Sequence, residues 1–287
     1  MPNYAAKVLS LPRNSFWAIP KRAEYYTPRV KRTIQLFMKD ATTELAQRIK
    51  TDGVDLSAAR KASEDISKAL RTNLESWAIG MGRDGWYIAE GIVRPSKRRQ
   101  WEIEGKAGIP VARGFGSDAQ VENVIRVNIS DWIDDTSRSY ASTVSGQIES
   151  IMKSAAVYQD SDGRGLTPVD IAKYFSEQFN TFTGAYSTLI ARTTTNYAYN
   201  DGATLLYQDV GFSVGEWIVT DDDVLCPYCE QFDGKTFTLG EPVIQRGSAV
   251  SVEGERDYVA AFDIPHAPLH PHCRCTVGIS YSDPLFN

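Results

Sequence analysis

The chain has 287 residues, 42% of them hydrophobic and 23% charged, with a formal net charge of −5. That length and balance suit a soluble globular protein with a buried core and about two subdomains. No apolar run is long enough to span a membrane, and the start M-P-N-Y-A-A-K-V-L-S-L-P-R lacks a signal-peptide core, so no membrane anchor and a cytoplasmic origin are expected.

The charge is unevenly spread. Residues 1–50 hold ten Lys/Arg against three Asp/Glu, a net of about +7, which leaves about −12 for the remainder. Within residues 1–28 stand Phe16, Trp17, Lys21, Arg22, Tyr25 and Tyr26, punctuated by Pro12, Pro20 and Pro28. Prolines favour an extended course, and exposed aromatics beside basic groups make good interface anchors. This segment is expected to be a basic aromatic arm that docks on an acidic partner surface or nucleic acid; an arm folded on its own protein is the alternative.

Helical periodicity follows over residues 29–116. Val30, Ile34, Phe37, Ala41, Leu45 and Ile49 recur at helical spacing. Thr51-Asp52-Gly53 breaks the run. A second stripe, Leu56, Ala59, Ala62, Ile66, Leu70 and Trp77, follows a cap at Asp55. The eight glycines between Gly80 and Gly116 predict loops around a short segment near Trp86–Val93, with a subdomain boundary near Gly114–Ser117.

Residues 117–211 read as helices again. Val121, Ile125, Ile129, Trp132, Tyr140, Val144, Ile148 and Met152 keep a helical stripe, although Ile125-Val127-Ile129 also alternates as a short strand would. Asp160–Gly165 starts like a calcium loop, but Arg164 and Ile171 stand at ligand positions, so it reads as a turn. Thr167, Pro168 and Asp170 form a helix start with a capping acid. One helix is expected to about Asn180, and another from about Phe182 to Gln208, stopped by Gly211. On the latter, Arg192, Asn196 and Asn200 fall at i, i+4 and i+8, on one face. A packing network to the next module is expected of them; substrate binding is the alternative.

Residues 212–287 hold every cysteine and histidine of the chain. C-P-Y-C supplies Cys226 and Cys229; H-P-H-C-R-C supplies His270, Cys273 and Cys275. Two short knuckles about forty residues apart suit a structural zinc site. The favoured set is Cys226, Cys229, His270 and Cys273, with Cys275 as alternate. Two disulfides are the competing reading, less suited to a reducing compartment. A Cys-X-X-Cys redox pair would need a thioredoxin-like context that is not visible. Trp217, in W-I-V-T, is expected on a strand over the module's core, and Asp221-Asp222-Asp223 in a polar turn.

The ordered series Ala191-Arg192-Thr193, Asn200, Gly211, Trp217, Asp222, Cys226/Cys229, Gly234-Lys235 and His270-Pro271-His272-Cys273-Arg274-Cys275 resembles the phage Mu F-like head morphogenesis proteins, over roughly Leu166–Tyr281. Thr194 stands where that family usually has Glu, so no ion pair is expected there. The resemblance implies a minor head protein of a tailed phage, located in the virion near the portal vertex. It would contact the portal protein, other head proteins and packaged DNA, and act in head morphogenesis, genome packaging or delivery. Some relatives carry C-terminal toxin or transferase domains; with the chain ending at Asn287, none is expected here.

The expected architecture is mainly α, with a small α+β, zinc-stapled, loop-rich module at the C-terminal end. No enzyme is expected, because no nucleophile–base pair or phosphate loop is visible. Two other classes remain open: a zinc-dependent hydrolase or nuclease using Asp263 and His266, and a zinc-containing nucleic-acid-binding protein.

Overall fold

The structure, a computed structural model, describes residues 18–52, 56–93, 118–157, 167–220 and 226–284. Phe16, Trp17, the Asp55 cap, the boundary near Gly114–Ser117, the Asp160–Gly165 turn and the Asp221–Asp223 run lie outside these residues. Four long helices come first: α1 (Ala18–Asp52), α2 (Leu56–Val93), α3 (Asp118–Val157) and α4 (Pro168–Asp209). The C-terminal module follows with β1 (Val214–Ile218), the single-turn α5 (Pro227–Glu230), β2 (Thr236–Thr238), β3 (Ala249–Val250), β4 (Tyr258–Val259) and β5 (Thr276–Ile279). The helical architecture with a short-stranded C-terminal module is therefore as expected.

The chain divides into two compact units, each assembled from separate stretches: residues 27–75 with 131–191, and residues 1–26, 76–130 and 192–287. The first is wholly helical. Its core holds Ile34, Met38, Leu45 and Ile49 of α1, Ile66, Leu70 and Leu74 of α2, Val144 and Ile148 of α3, and Phe175 and Phe179 of α4. These positions recur every three or four residues, as a helix needs in order to turn one face inward. Met38, not the expected Phe37, lies in the α1 stripe, and Leu74 and Ala78 are buried where Trp77 is only half-buried. Arg71 and Asp134 bridge α2 and α3 at 2.8 Å on the exposed side.

Three sequence expectations are corrected. Residues 18–28 are not an extended arm but the first turns of α1, with Pro28 inside the helix. Proline costs a helix one backbone bond; around it Ala23 and Thr27 are buried, and the Tyr26 ring lies tilted 6.3 Å from that of Tyr199. Residues 118–157 form one helix through Ile125–Ile129, and α4 runs unbroken through Asn180–Phe182. At the start of α4, the Asp170 N–H donates to Thr167 Oγ1 and the Thr167 N–H to Asp170 Oδ2, a reciprocal cap. Gly211, at φ 97°, ends the helix: its N–H bonds the Gln208 carbonyl while that of Phe212 bonds Tyr207.

The third correction concerns the glycines after Gly80. Gly80, Gly82, Gly85 and Gly91 lie in α2, which continues to Val93; the later ones fall outside the described residues. Glycine lowers helix propensity by about 1 kcal/mol, so its presence in helix needs a compensating contact, and in the second unit it has one. A Cβ on Gly85 would stand 2.1 Å from the Tyr199 carbonyl oxygen, and one on Gly202 would stand 1.7 Å from that of Gly82. Here α2 and α4 touch backbone to backbone. Arg83 reaches Glu122 of α3 at 2.6 Å, and Tyr199 donates to Asp84.

In the module, β1 is the central strand of an antiparallel sheet ordered β2-β1-β5. Trp217 pairs with Val277, and Gly215 with both Phe237 and Ile279. Strands β3 and β4 form a separate hairpin, beside which Ile244 bridges Ile264. Asp283, fully buried, accepts the N–H groups of Ser213 and Val214 at 2.6 and 2.7 Å and so holds the strand-bearing chain end against the exit of α4.

Gly202→Ala is expected to destabilise the protein by about 2–3 kcal/mol or more, because the new methyl meets backbone that cannot rotate away. Urea denaturation followed by circular dichroism checks this. A loss below about 1 kcal/mol would mean that α2 and α4 are not in backbone contact.

Candidate metal centre

The two cysteine knuckles are built by short local bonds. Cys226 caps α5, its carbonyl accepting the N–H groups of Cys229 and Glu230, with Pro227 at the first helical position. That turn puts Cys229 inward, buried, while Cys226 remains half-buried. In the second knuckle the Cys273 N–H bonds the His270 carbonyl, and the Cys275 N–H points at Cys273 Sγ from 3.4 Å. His272 between them adopts φ 67°, a left-handed turn that lets Pro271 and His272 face outward.

All five expected donors meet. Cys229 Sγ lies 3.1 Å from His270 Nε2 and 3.5 Å from Cys273 Sγ. Two groups have their donor atoms within 4.8 Å of one another: Cys226, Cys229 and His270, and Cys229, Cys273 and Cys275. Tetrahedral zinc–thiolate and zinc–imidazole bonds place their ligand atoms about 3.5–3.8 Å apart. The donor set thus fits a borderline-soft divalent ion, and the cluster can hold a metal. His270 is also prepared for it. Its Nδ1–H donates to the Pro271 carbonyl at 2.7 Å, which leaves the lone pair on Nε2, the nitrogen facing Cys229. Tyr228 and Tyr258 flank the His270 ring, each 6.3 Å away.

Electrostatics point the same way. Hydrogen bonds to Cys273 and Cys275, then burial, push the Cys229 thiol up. For Cys275 the bond with Cys229 works downward, but the bond to Cys273 and burial outweigh it and raise this thiol as well. Burial opposes ionisation of Cys273, yet bonds from the Cys229 and Cys275 thiols, with His270 nearby, hold it well below the usual thiol range. Among these crowded sulfurs Cys273 is the one whose surroundings favour the thiolate. Burial, and then the charges of Cys273 and Cys229, push Tyr258 up to about 12. A cation in this position would neutralise the cluster and release the remaining thiol protons.

Helix α4 grips this centre through its polar face. Asn196 Nδ2 donates to the carbonyls of Cys273 and Cys275 at 3.0 and 3.1 Å. Asn200 Nδ2 reaches the Cys275 carbonyl at 3.2 Å, while its Oδ1 accepts the Thr276 hydroxyl at 2.8 Å and the Val277 N–H at 3.1 Å. The asparagines are thus a packing network, as the i, i+4 spacing implied. Arg192, half-buried one turn earlier, acts on His272: burial, then the charges of Arg192 and His270, lower the His272 pKa. Trp217 lies fully buried on β1, its ring 5.3 Å from Phe232, and its indole interacts with Cys275.

Further residues hold the second knuckle and the loop before it. Thr193 accepts the His272 N–H, and Thr220 donates to the Arg274 carbonyl at 2.6 Å. His266, named above for the hydrolase or nuclease alternative, is 1% exposed. Its Nδ1–H donates to the Ala267 carbonyl at 2.6 Å; Nε2 faces the buried Asp201 at 3.4 Å, and the Tyr197 ring lies 4.7 Å away. Asp263, in contrast, is exposed and accepts the Arg246 N–H at 2.8 Å. Thr194 is fully buried and uncharged.

A small sheet carrying a Cys/His cluster, clamped to the last turns of a long helix, defines the class: a helix-backed module with the ligands of a metal centre. Residues 155–278 match the family described as Phage Mu protein F like protein. Over that segment the chain is similar to this family, in agreement with the resemblance carried by the Ala191–Cys275 series. No curated protein and no solved structure matches the chain. Among the described residues, no helix is long and apolar enough to cross a membrane.

Asn200→Ala leaves the Thr276 hydroxyl and the Val277 N–H without their acceptor, at roughly 1–3 kcal/mol for each buried group. A lower melting temperature and about 10–100-fold weaker metal binding are expected, as for loss of an outer-shell partner. Competition with a chromogenic chelator measures the latter, and unchanged affinity would contradict the clamp. His266→Ala is expected to cost about 2–4 kcal/mol, since it opens a buried hole beside Asp201; Asp263→Ala should fall within about 0.5 kcal/mol of wild type, by the same denaturation assay.

Proposed function

We propose that the protein is a minor head protein of a tailed phage, carried in the virion near the portal vertex, and that the five-donor cluster holds one structural zinc. The observation that carries this is the coincidence of the family match over residues 155–278 with the Cys/His cluster that α4 clamps. The zinc would staple a module whose strands are only two to five residues long. Such strands bury too little apolar surface to hold long loops by themselves. Zinc in small modules contributes on the order of 10 kcal/mol to folding.

No catalytic role is proposed. Four protein ligands leave a zinc no open position for water, and His266 is engaged with Ala267 and Asp201 away from both donor groups. The role is instead architectural: assembly of the head, and packaging or delivery of the DNA. For the portal contact, Lys21 and Tyr25 are the best supported anchors, because both are exposed on the first turns of α1. Tyr26 is half-buried and meets Tyr25 edge to face, with ring centroids 5.3 Å apart. Phe16 and Trp17, with Arg22, complete the proposed docking segment from the sequence reading. Removing residues 1–28 whole would also remove buried Ala23 and Thr27, so point variants are the cleaner probe.

Protein purified without chelator should contain about one zinc per chain, read by elemental analysis. Stripping the metal should melt the module's near-ultraviolet signal while most helical signal survives. Metal-free protein with oxidised sulfurs would refute the zinc. Lys21→Glu with Tyr25→Ala should leave a zinc-loaded, folded protein whose copurification with the portal falls at least about tenfold, the loss of a pair of interface anchors. Undiminished copurification would place the docking surface elsewhere.

A further inference from the structure

Access to the cysteine cluster is one-sided. Cys229, Cys273 and Cys275 are buried, whereas Cys226 and His270 are half-buried. Behind the buried sulfurs stand the Asn196 and Asn200 amides, and the Trp217 indole meets Cys275. On the more open side, two tyrosines from different elements stand around His270. Tyr228 comes from α5 and Tyr258 from β4; with His270 they make a triangle of rings whose centroids lie 6.3, 6.3 and 6.5 Å apart.

The hairpin that carries Tyr258 is lightly held. Its strands β3 and β4 are two residues each, and it is not part of the β2-β1-β5 sheet. A two-stranded hairpin is marginally stable at best by itself. At its base the Gly247 N–H bonds the Ala260 carbonyl and the Ala260 N–H that of Ser248, at 2.8 and 2.9 Å, with Val250 and Ala260 buried. Residues 253–257 at its tip are exposed. Two exposed hydrogen bonds tie that end to α5 and the residue after it. Tyr228 Oη donates to the Arg256 carbonyl, and Gln231 Nε2 to the Ser251 carbonyl at 3.4 Å. Exposed bonds of this kind gain little over bonds to water.

We infer that the β3–β4 hairpin is a lid on the metal centre: it opens about its base, and metal enters and leaves past Tyr228 and Tyr258 while the β2-β1-β5 sheet stays folded. The inference rests on the zinc reading above and concerns exchange of the ion, not the choice of its ligands. A bound ion leaves as an incoming ligand, water or a chelator, replaces the protein donors one by one. The approach left to that ligand is the Cys226–His270 side, where the two tyrosine rings stand when the hairpin is closed. Opening breaks the two exposed bonds and the ring contacts, but no bond of the sheet. Such local opening costs less than global unfolding. Gly247, at φ 82° with open space where a Cβ would stand, is suited to be the hinge.

The test uses the zinc-loaded full chain. Zinc release to an excess of chromogenic chelator is timed, and backbone hydrogen exchange is mapped by mass spectrometry on the same samples. Tyr228→Phe removes only the hydroxyl that holds the tip. It should speed release about two- to tenfold, the population shift that one hydrogen bond is worth. Exchange over residues 248–260 should rise by a similar factor, while β1 and β5 exchange as in the wild type. Tyr258→Ala should release zinc at least about tenfold faster, with the sheet equally protected. Val259→Ala, at an exposed position beside it, should change neither. If Tyr258→Ala does not fold, Tyr228→Phe still decides, since it loses a single oxygen. Unchanged release in Tyr228→Phe would overturn the inference. So would release that quickens only together with exchange of β1 and β5, because the metal would then leave by unfolding of the module. Both results leave the zinc reading intact; wild-type protein without zinc would overturn that reading, and the lid with it.

Discussion

Side-chain amides of one helix hold the backbone of the second cysteine knuckle, and the arrangement of the centre depends on that grip. Asn196 and Asn200 together satisfy the carbonyls of Cys273 and Cys275 and the N–H of Val277. These groups are buried, and a buried backbone group without a partner costs about as much as a lost hydrogen bond. Once the asparagines supply those bonds, Cys273 and Cys275 have a fixed height and direction against α4. The strand that follows, β5, then pairs with β1, and Trp217 closes over the sulfurs. Asparagine suits this task because a single side chain carries both a donor and an acceptor, and a sheet edge presents both.

The grip requires the asparagine-bearing part of α4 to be closely seated against α2, which fits the glycines there. Gly202 lies two residues after Asn200, where α2 passes with its Gly82 carbonyl almost in contact. Any side chain there would push α2 away from the helix that carries the asparagines. Gly85 does the same opposite Tyr199. One residue after Asn200, the buried Asp201 faces His266 in the loop before His270. Successive residues of α4 thus address three surroundings: the knuckle through Asn200, the preceding loop through Asp201, and α2 through Gly202.

A crowded set of thiols is a poor resting state for a small module. Three buried sulfurs crowd together, and their mutual bonds lower the Cys273 pKa while, with burial, those of Cys229 and Cys275 are raised. The arrangement has the donor distances of a metal centre and an electrostatic demand for a cation. Short strands, loops and a single helical turn would otherwise rely on the Asp283 staple and the Trp217 core alone. The unit with the long apolar helix stripes needs no such help, since its burial is continuous along every helix.

Sequence alone determined the local and the chemical. Apolar spacing marked Val30–Ile49 and Val121–Met152 as helical, Thr167–Asp170 as a helix start and Gly211 as its stop. Cys-X-X-Cys and His-Pro-X-Cys-X-Cys marked the donors, and the i, i+4 asparagines marked a polar face with a structural duty. These are short-range signals, set by helix period, side-chain reach and ligand chemistry. Tertiary structure decided the rest. Local propensity reads Gly80, Gly82 and Gly85 as loop, but at Gly82 and Gly85 glycine is what close helix contact requires, and the partner backbone is over a hundred residues away. Pro28 within α1 and the uninterrupted α4 likewise follow from burial across elements, which overrides the preference of the single residue. No pattern in the chain tells that His266 is sealed against Asp201, or that Cys229 is the donor common to both groups. Those facts depend on which distant segments meet, and only the folded chain brings them together.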